Sequence, residues 1–395
     1  TEDINYLEGI HFLKICHEDT HDVVEEIVNK INKYNFTHEF LPKWSLTNNT
    51  IWYSLLLSPD GQRVKMPFTA LIRNLSTLTV RGAFESPEVV NLVCTHLSNE
   101  EIVKKSRVHP ATVAIAWKQY AIGKGLKGKQ TWTPNIKICE TLENTMYMAF
   151  SNVEATGKRI YHCFDGSGSM STPMGTCGNM TSAEAVGLLG LICSRNEKAE
   201  TQQYCVFSNK TASKPTSGGW FSGLYSSSPP LSFDICTSGL RPLTFSPNSS
   251  LTEAAKITQI TDWSSTDCSL PIEIKISEFQ TAFEKLHNND RQQFLEALVN
   301  KDKKTQTDVL NALGIFLPEV FVVYTDNDVN SGKRHPVEAL QEYRRLTGID
   351  AKMAVVATQA SRTTIADPKD TGMMDLVGFD SQLPTVLHDF ICGKI

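Results

Sequence analysis

One change of periodicity constrains this chain more than any other feature. Up to about Lys158, apolar residues recur at helical spacing and nothing alternates at period two; beyond it, short apolar runs alternate with helical stretches. Such a switch predicts two parts of different class, with a boundary near residue 152: helices packed on helices at 1–152, then strands and helices layered together at 153–395. A chain of 395 residues is long enough for both parts to bury their own cores.

Caps and prolines mark the helices of the first part. Ser86-Pro87-Glu88 puts a cap and then a proline ahead of 89–97, and Ser98 with Glu101 spells a capping box. His109-Pro110 opens a helix that ends at Gly123, and Thr133-Pro134 opens another. The connections are short, which predicts paired antiparallel helices stacked as a solenoid. Thr1 lies already inside a helical pattern, and the chain reads as one missing its natural beginning.

In the second part, 158–164, 202–208, 319–328 and 351–358 read as four strands. Helices fall between and after them, two behind capping boxes, Thr181 with Glu184 and Ser250 with Glu253. This alternation predicts a parallel sheet covered on both faces, with ligands at the carboxyl ends of its strands. Two stretches read as insertions. Residues 208–249, rich in Ser, Gly, Thr and Pro, are expected to form a mobile surface loop. Residues 278–313, charged and helix-prone, are expected to pack on the sheet's edge.

Charge and thiols narrow the function. A net charge of −5 excludes a protein that coats nucleic acid over its whole surface. Locally the balance swings: residues 1–60 carry four lysines against ten acids, whereas from Ile102 to Cys139 there is no acid at all. That stretch holds Lys104, Lys105, Arg107, His109, Lys118, Lys124, Lys127 and Lys129, with Trp117, Tyr120 and Trp132 interleaved. Cations neutralise phosphates and aromatics stack on unpaired bases, so it is a candidate nucleic-acid surface; the competing reading is a solvated helix face with a lysine-rich loop. The segment 123–128 matches G-x-G-x-x-G but follows a helix, not a strand, so no dinucleotide site is expected. No two of the 10 cysteines have C-x-x-C spacing and several sit in apolar runs. Free thiols in a reducing compartment, the cytoplasm or also the nucleus, are expected. No apolar run is long enough to span a bilayer, and no membrane association is expected.

Three loops of the second part carry chemistry. Asp165, Ser167 and Ser169 follow the first strand at i, i+2 and i+4, a carboxylate and two hydroxyls suited to a hard divalent cation. Thr266 and Asp326 would arrive from two other loops, and Asp267 is read as a cap for the following helix. Few protein charges favour Mg²⁺, with waters and one open position that an acidic group of a protein partner could fill. Enzyme readings fit less well. An aspartyl-phosphate hydrolase would want an acid where Ser167 stands, and there is neither a G-x-S-x-G elbow nor a Gly-Lys-Ser/Thr phosphate loop. The chain is therefore expected not to be an enzyme.

The motifs DGSGSM, TDCSLP, FVVYTDN and TIADPKDTGMMDLVGFD resemble the von Willebrand factor A domain of the Ro autoantigen family, the TROVE proteins. MPFTALIRNLSTLT and RVHPATVAIAWKQYAIGKGLKGKQTWTPN resemble the helical part that precedes that domain. The resemblance implies α-helical HEAT-like repeats followed by an α/β, Rossmann-like A domain. In the family, a ring of helical repeats is closed by the A domain. The ring binds small noncoding Y RNAs on its outer face and admits single-stranded ends of misfolded RNAs, in small-RNA quality control. The family has further helices ahead of the place where this chain starts. Metal ligation carries over to Asp165, Ser167, Ser169, Thr266 and Asp326; the RNA role carries over to the basic stretch from Lys104 to Lys129. A monomer is expected. Two rivals stand beside this reading: a metal-ion-dependent protein-interaction module without RNA, and a secreted adhesion protein, against which the scattered thiols argue.

Overall fold

The structure, a computed structural model, describes residues 2–17, 19–125, 130–174, 180–208, 239–258, 266–326, 334–359 and 365–395. The chain divides into two compact units, Thr1–Val153 and Glu154–Ile395.

Unit 1 is helical: α1 (Glu2–Ile15), α2 (His21–Tyr34), α3 (Asn49–Leu56), α4 (Phe68–Val80), α5 (Pro87–Leu97), α6 (Glu100–Ser106), α7 (Pro110–Ala121) and α8 (Ile136–Met148). Apolar stripes at helical spacing go inward, such as Val24, Ile27 and Ile31 on α2 and Leu71, Leu75 and Leu78 on α4. Helix α7 packs on α4 and α8, and α5 packs on α8. Two starts lie later than expected. Asn99, not Ser98, caps α6 by accepting from Ile102 N, because Ser98 still ends α5; Asn135, not Thr133, caps α8 by accepting from Ile138 N, leaving Pro134 outside the helix.

Unit 2 holds the strands β1 (Ile160–Asp165), β2 (Gln202–Phe207), β3 (Leu240–Leu243), β4 (Val320–Thr325), β5 (Lys352–Ala357) and β6 (Met373–Val377). They form one sheet in the order β3-β2-β1-β4-β5-β6, with β3 antiparallel and all other pairs parallel. Its helices are α9 (Ser182–Asn196), α10 (Leu251–Thr258), α11 (Leu270–Glu284), α12 (Asn288–Asn300), α13 (Lys303–Ala312), α14 (Pro336–Thr347) and α15 (Leu383–Cys392). The two capping boxes expected in this part close: Thr181 with Glu184 and Ser250 with Glu253 exchange reciprocal bonds.

Alternate residues of β1 serve opposite faces of the sheet. Tyr161 and Cys163 join a core with Leu270, Ile276 and Phe279 of α11 and Leu340 and Tyr343 of α14. Phe164, by contrast, packs on Tyr324, on Phe245 and against Gly190 of α9. Helices α9 and α10 meet closely because Gly187 has no side chain; a Cβ there would lie 2.9 Å from Ala254 C and Ala255 N. Gly187→Ala is therefore expected to destabilise unit 2 by about 2 kcal/mol, as overpacking does, seen as a lower urea midpoint at unchanged slope.

Two strands and one packing arrangement depart from the sequence reading. Strand β3 lies in the stretch expected to be a loop; it is four residues long and contains Pro242, which an antiparallel edge tolerates. Residues 209–238 of that stretch lie outside the described residues. Strand β6 is a part-exposed edge with no clean alternation. The 278–313 stretch does not pack on the sheet's edge. Phe294 of α12 contacts Phe279 and Phe283 of α11, Leu298 abuts Gly348 at the end of α14, and Val309 of α13 joins the core on that face.

Candidate functional site

The chain order of the sheet reverses between β1 and β4, and the crevice beyond their carboxyl ends is where α/β sheets place ligands. Asp165 is the last residue of β1, Asp326 follows β4, and Thr266 precedes α11. Four of the five predicted ligand residues are buried, namely Asp165, Ser167, Thr266 and Asp326, and Ser169 is half-buried.

Their arrangement follows from local chemistry. Asp165 Oδ1 accepts from Ser167 N at 2.9 Å, the Asx turn that short carboxylates favour. The turn continues into 168–171, and Ser167 Oγ lies 2.9 Å from Ser169 Oγ. Thr266 Oγ1 lies 3.3 Å from Asp165 Oδ2. Asp326 Oδ1 is buried without a hydrogen-bond partner. Asp267 Oδ1 accepts from Ser269 N and Oγ, and so ties the turn that opens α11. Thr325, which the sequence reading passed over, donates from Oγ1 to Asp165 Oδ2 at 2.8 Å. The β1–β4 register announces it, since Phe164 faces Tyr324 and the next pair is Asp165 and Thr325.

Negative charge dominates this pocket. Burial pushes Asp165 up to about 6, opposed by the bond from Ser167 N and reinforced by the charge of Asp326. The Cys268 thiol is raised well above its usual range, first by burial and then by Asp165, Asp267 and Asp326. Among the described residues no basic side chain pairs with Asp165 or Asp326. Two carboxylates and three hydroxyls, one buried oxygen unpartnered, form an all-oxygen donor set of the kind a hard cation takes. No trio of His, Cys, Asp or Glu that could hold a metal occurs among the described residues.

Below the site, the fully buried His162 bonds Tyr324 Oη at 2.9 Å and Gln202 Oε1 at 2.8 Å, and burial lowers its pKa to about 4 from 6.5. The folded state thus binds fewer protons than the unfolded state in that window, and stability falls as pH drops from 6.5 to 4. The loss is about 3 kcal/mol. Asp165 titrates in the opposite sense, so the effect is cleanest in Asp165→Asn, where denaturant unfolding at both pH values should show His162→Gln flattening the decline.

In unit 1 the basic residues separate into two groups along α7. Lys104 and Lys105 are exposed in the last turn of α6, and Arg107 follows exposed with a left-handed backbone, φ 52. His109 is committed to the fold, accepting at Nδ1 from Ala111 N as the cap of α7. Lys118 lies at the far end of the same helix, over the Trp117 ring, about 18 Å along its 12 residues. Just beyond, Gly125 N donates to Gln130 O and Trp132 N to Gly123 O, so an exposed Lys124 stands between two backbone bonds that tie 123–125 to 130–132. Lys127 and Lys129 lie outside the described residues. Two aromatics proposed for base stacking serve the fold instead. Tyr120 is buried and bonds Thr79 and Asn135, and Trp132 stacks on Tyr120 while donating to its carbonyl. The eight cysteines among the described residues are free thiols, and no described helix is long and apolar enough to cross a membrane.

Comparison with known proteins agrees with this organisation. Residues 318–391 match the family model of the Ro60 vWA domain, and residues 30–119 match that of the TROVE domain. The RNA-binding protein RO60 of Caenorhabditis elegans is 34% identical over 394 residues, covering 99% of this chain and 49% of that protein. The RNA-binding protein RO60 of Deinococcus radiodurans is 29% identical over 339 residues, covering 83% of this chain and 50% of that one. The chain thus spans about half the length of the curated relatives it matches. The crystal structure of the Deinococcus radiodurans RO (RSR) protein shares the fold with a TM-score of 0.71 at 24% identity, covering 100% of this chain and 64% of that one.

Proposed function

The chain belongs to the Ro autoantigen family, and on that footing we propose that it is an RNA-binding component of ribonucleoproteins. Its targets in this reading are small noncoding RNAs of the Y RNA kind and misfolded RNAs with single-stranded ends, bound for RNA quality control. The observation that carries the reading is the acid-free run from Ile102 to Cys139, whose Lys104, Lys105, Arg107 and Lys124 are exposed on unit 1. Phosphate contacts made by such side chains dominate affinity and make it salt-dependent.

The same proposal places a divalent cation, Mg²⁺, in unit 2, with Asp165, Ser167, Ser169, Thr266 and Asp326 as the residues that would hold it. The orphaned Asp326 oxygen and the uncompensated carboxylates support this assignment. When bound, the ion would supply positive charge and a coordination position for an acidic group. That favours a second reading, a metal-dependent contact with a protein partner, which is compatible with RNA binding by unit 1. A gel-shift titration with a structured RNA bearing a free single-stranded end, run against plain duplex and with or without chelator, separates the readings. Preference for the single-stranded end, insensitive to chelator, is expected. Binding no better than that of a neutral control protein would sink the RNA reading.

A further inference from the structure

We infer that Thr325 is a positioning residue for the cation proposed above, and that Thr358 and Ser182 extend its support to the start of α9. The inference rests on the cation reading and goes beyond its five ligand residues. Asp165 ends a strand in the sheet's interior, and its two oxygens have different closest partners. Oδ1 is held by Ser167 N, within its own turn. Oδ2 accepts at 2.8 Å from Thr325 Oγ1, on the neighbouring strand. Without that hydroxyl, the hydrogen bond left to Oδ2 among the described residues is the longer one from Thr266 Oγ1, at 3.3 Å, a group itself assigned to the ion.

Thr325 is in turn fixed. Its carbonyl accepts from Thr358 N at 2.9 Å, and Thr358 Oγ1 lies 3.3 Å from the same oxygen. Thr358 Oγ1 donates to Ser182 Oγ at 2.8 Å, and Ser182 is the first residue of α9. Asp165, Thr325 and Ser182 are fully buried and Thr358 nearly so, so these hydroxyls have no water to turn to. Buried polar chains with every member satisfied are rigid. Hydrogen bonds to a ligating carboxylate orient it, and losing one such partner typically weakens metal binding 10–100-fold. The end of β1 is therefore held from β4, and β4 from the residue after β5 and from α9.

The test uses the whole chain and Mn²⁺, whose free form is counted by electron paramagnetic resonance. Thr325→Val keeps the side chain's shape, suits a strand and removes the hydroxyl. It is expected to weaken Mn²⁺ about tenfold or more, while metal-free unfolding stays cooperative and the circular dichroism spectrum unchanged. Thr325→Ser restores the hydroxyl and should bind as the parent does. Thr358→Val removes only the outer link and is expected to weaken Mn²⁺ by a smaller factor; it also serves if Thr325→Val does not fold. Parental Mn²⁺ affinity in Thr325→Val, or in Thr358→Val where Thr325→Val fails to fold, overturns the inference and leaves the cation reading intact. Absence of Mn²⁺ binding by the parent chain removes both.

Discussion

At neutral pH, saturating Mg²⁺ is expected to raise the melting midpoint of unit 2 by several degrees, and Asp165→Asn to erase the response while melting higher than the metal-free parent. The reason is electrostatic. Burial has raised Asp165 to about 6 from 3.8 in the folded chain, with Asp326 adding its charge. A carboxylate raised on folding binds more protons in the folded state between those values. Its contribution to stability is present below 3.8, declines as pH rises, and is gone above 6. The metal-free chain at neutral pH therefore holds an ionised Asp165 at a cost of about 2–3 kcal/mol. A cation offsets that cost, and its whole stabilisation at about 100 times its Kd is about 2.7 kcal/mol. In a unit of this size each kcal/mol shifts the midpoint by about 2–4 °C. Below pH about 6 the ion must displace a proton from Asp165, so the Mg²⁺ shift should shrink steadily there. The neutral amide of the Asp165→Asn variant would have no charge to desolvate and nothing to attract the ion. Scanning calorimetry of both proteins, with Mg²⁺ and with chelator, checks the claim. An Mg²⁺ shift retained by Asp165→Asn would place the ion elsewhere.

Much of this site was legible because its residues announce themselves locally. Asp165, Ser167 and Ser169 lie in one turn after an apolar strand, and the order of Thr266 and Asp326 along an alternating pattern points them to the same sheet end. Thr325 was not legible: a threonine ending a strand reads as β-propensity, and only the pairing of β1 with β4 turns it toward Asp165. The same limit explains the edge strands. Interior strands such as β4 are buried along their whole length and read as continuous apolar runs, whereas β3 with Pro242 and the half-exposed β6 have no such signature. In unit 1, charge was legible and vocation was not. Tyr120 and Trp132 have the composition of a base-stacking pair, but their partners Thr79, Asn135 and each other come from tertiary packing. His109 likewise reads as a free base contact until its Nδ1 is found capping α7.

The cations along α6, α7 and the residues just after them make the second large prediction quantitative. If the RNA chain tracks past Lys104, Lys105, Arg107, Lys118 and Lys124, about five phosphates are neutralised, and the logarithm of affinity should fall with that of salt at a slope near −3.5, about −0.7 per contact for a single strand. Raising salt from about 50 to about 200 mM then lowers affinity about a hundredfold. Reversing the first group, with Lys104→Glu, Lys105→Glu and Arg107→Glu together, removes three contacts; the slope should flatten to about −1.4 and the same salt change should cost only about sevenfold. These positions are exposed, so the triple variant should fold as the parent does. Lys124→Glu, at the other end of the helix, should flatten the slope by about 0.7 on its own, because the contacts are separate counterion-release events. Charge reversal at Lys124, Lys127 and Lys129 together extends the test along the acid-free run. Nitrocellulose-filter titrations at four or more salt concentrations give these slopes directly. An RNA affinity that drops in the triple variant with an unchanged slope would mean that the loss is structural. A slope unchanged in every variant would mean that the strand is gripped by a different face of the chain.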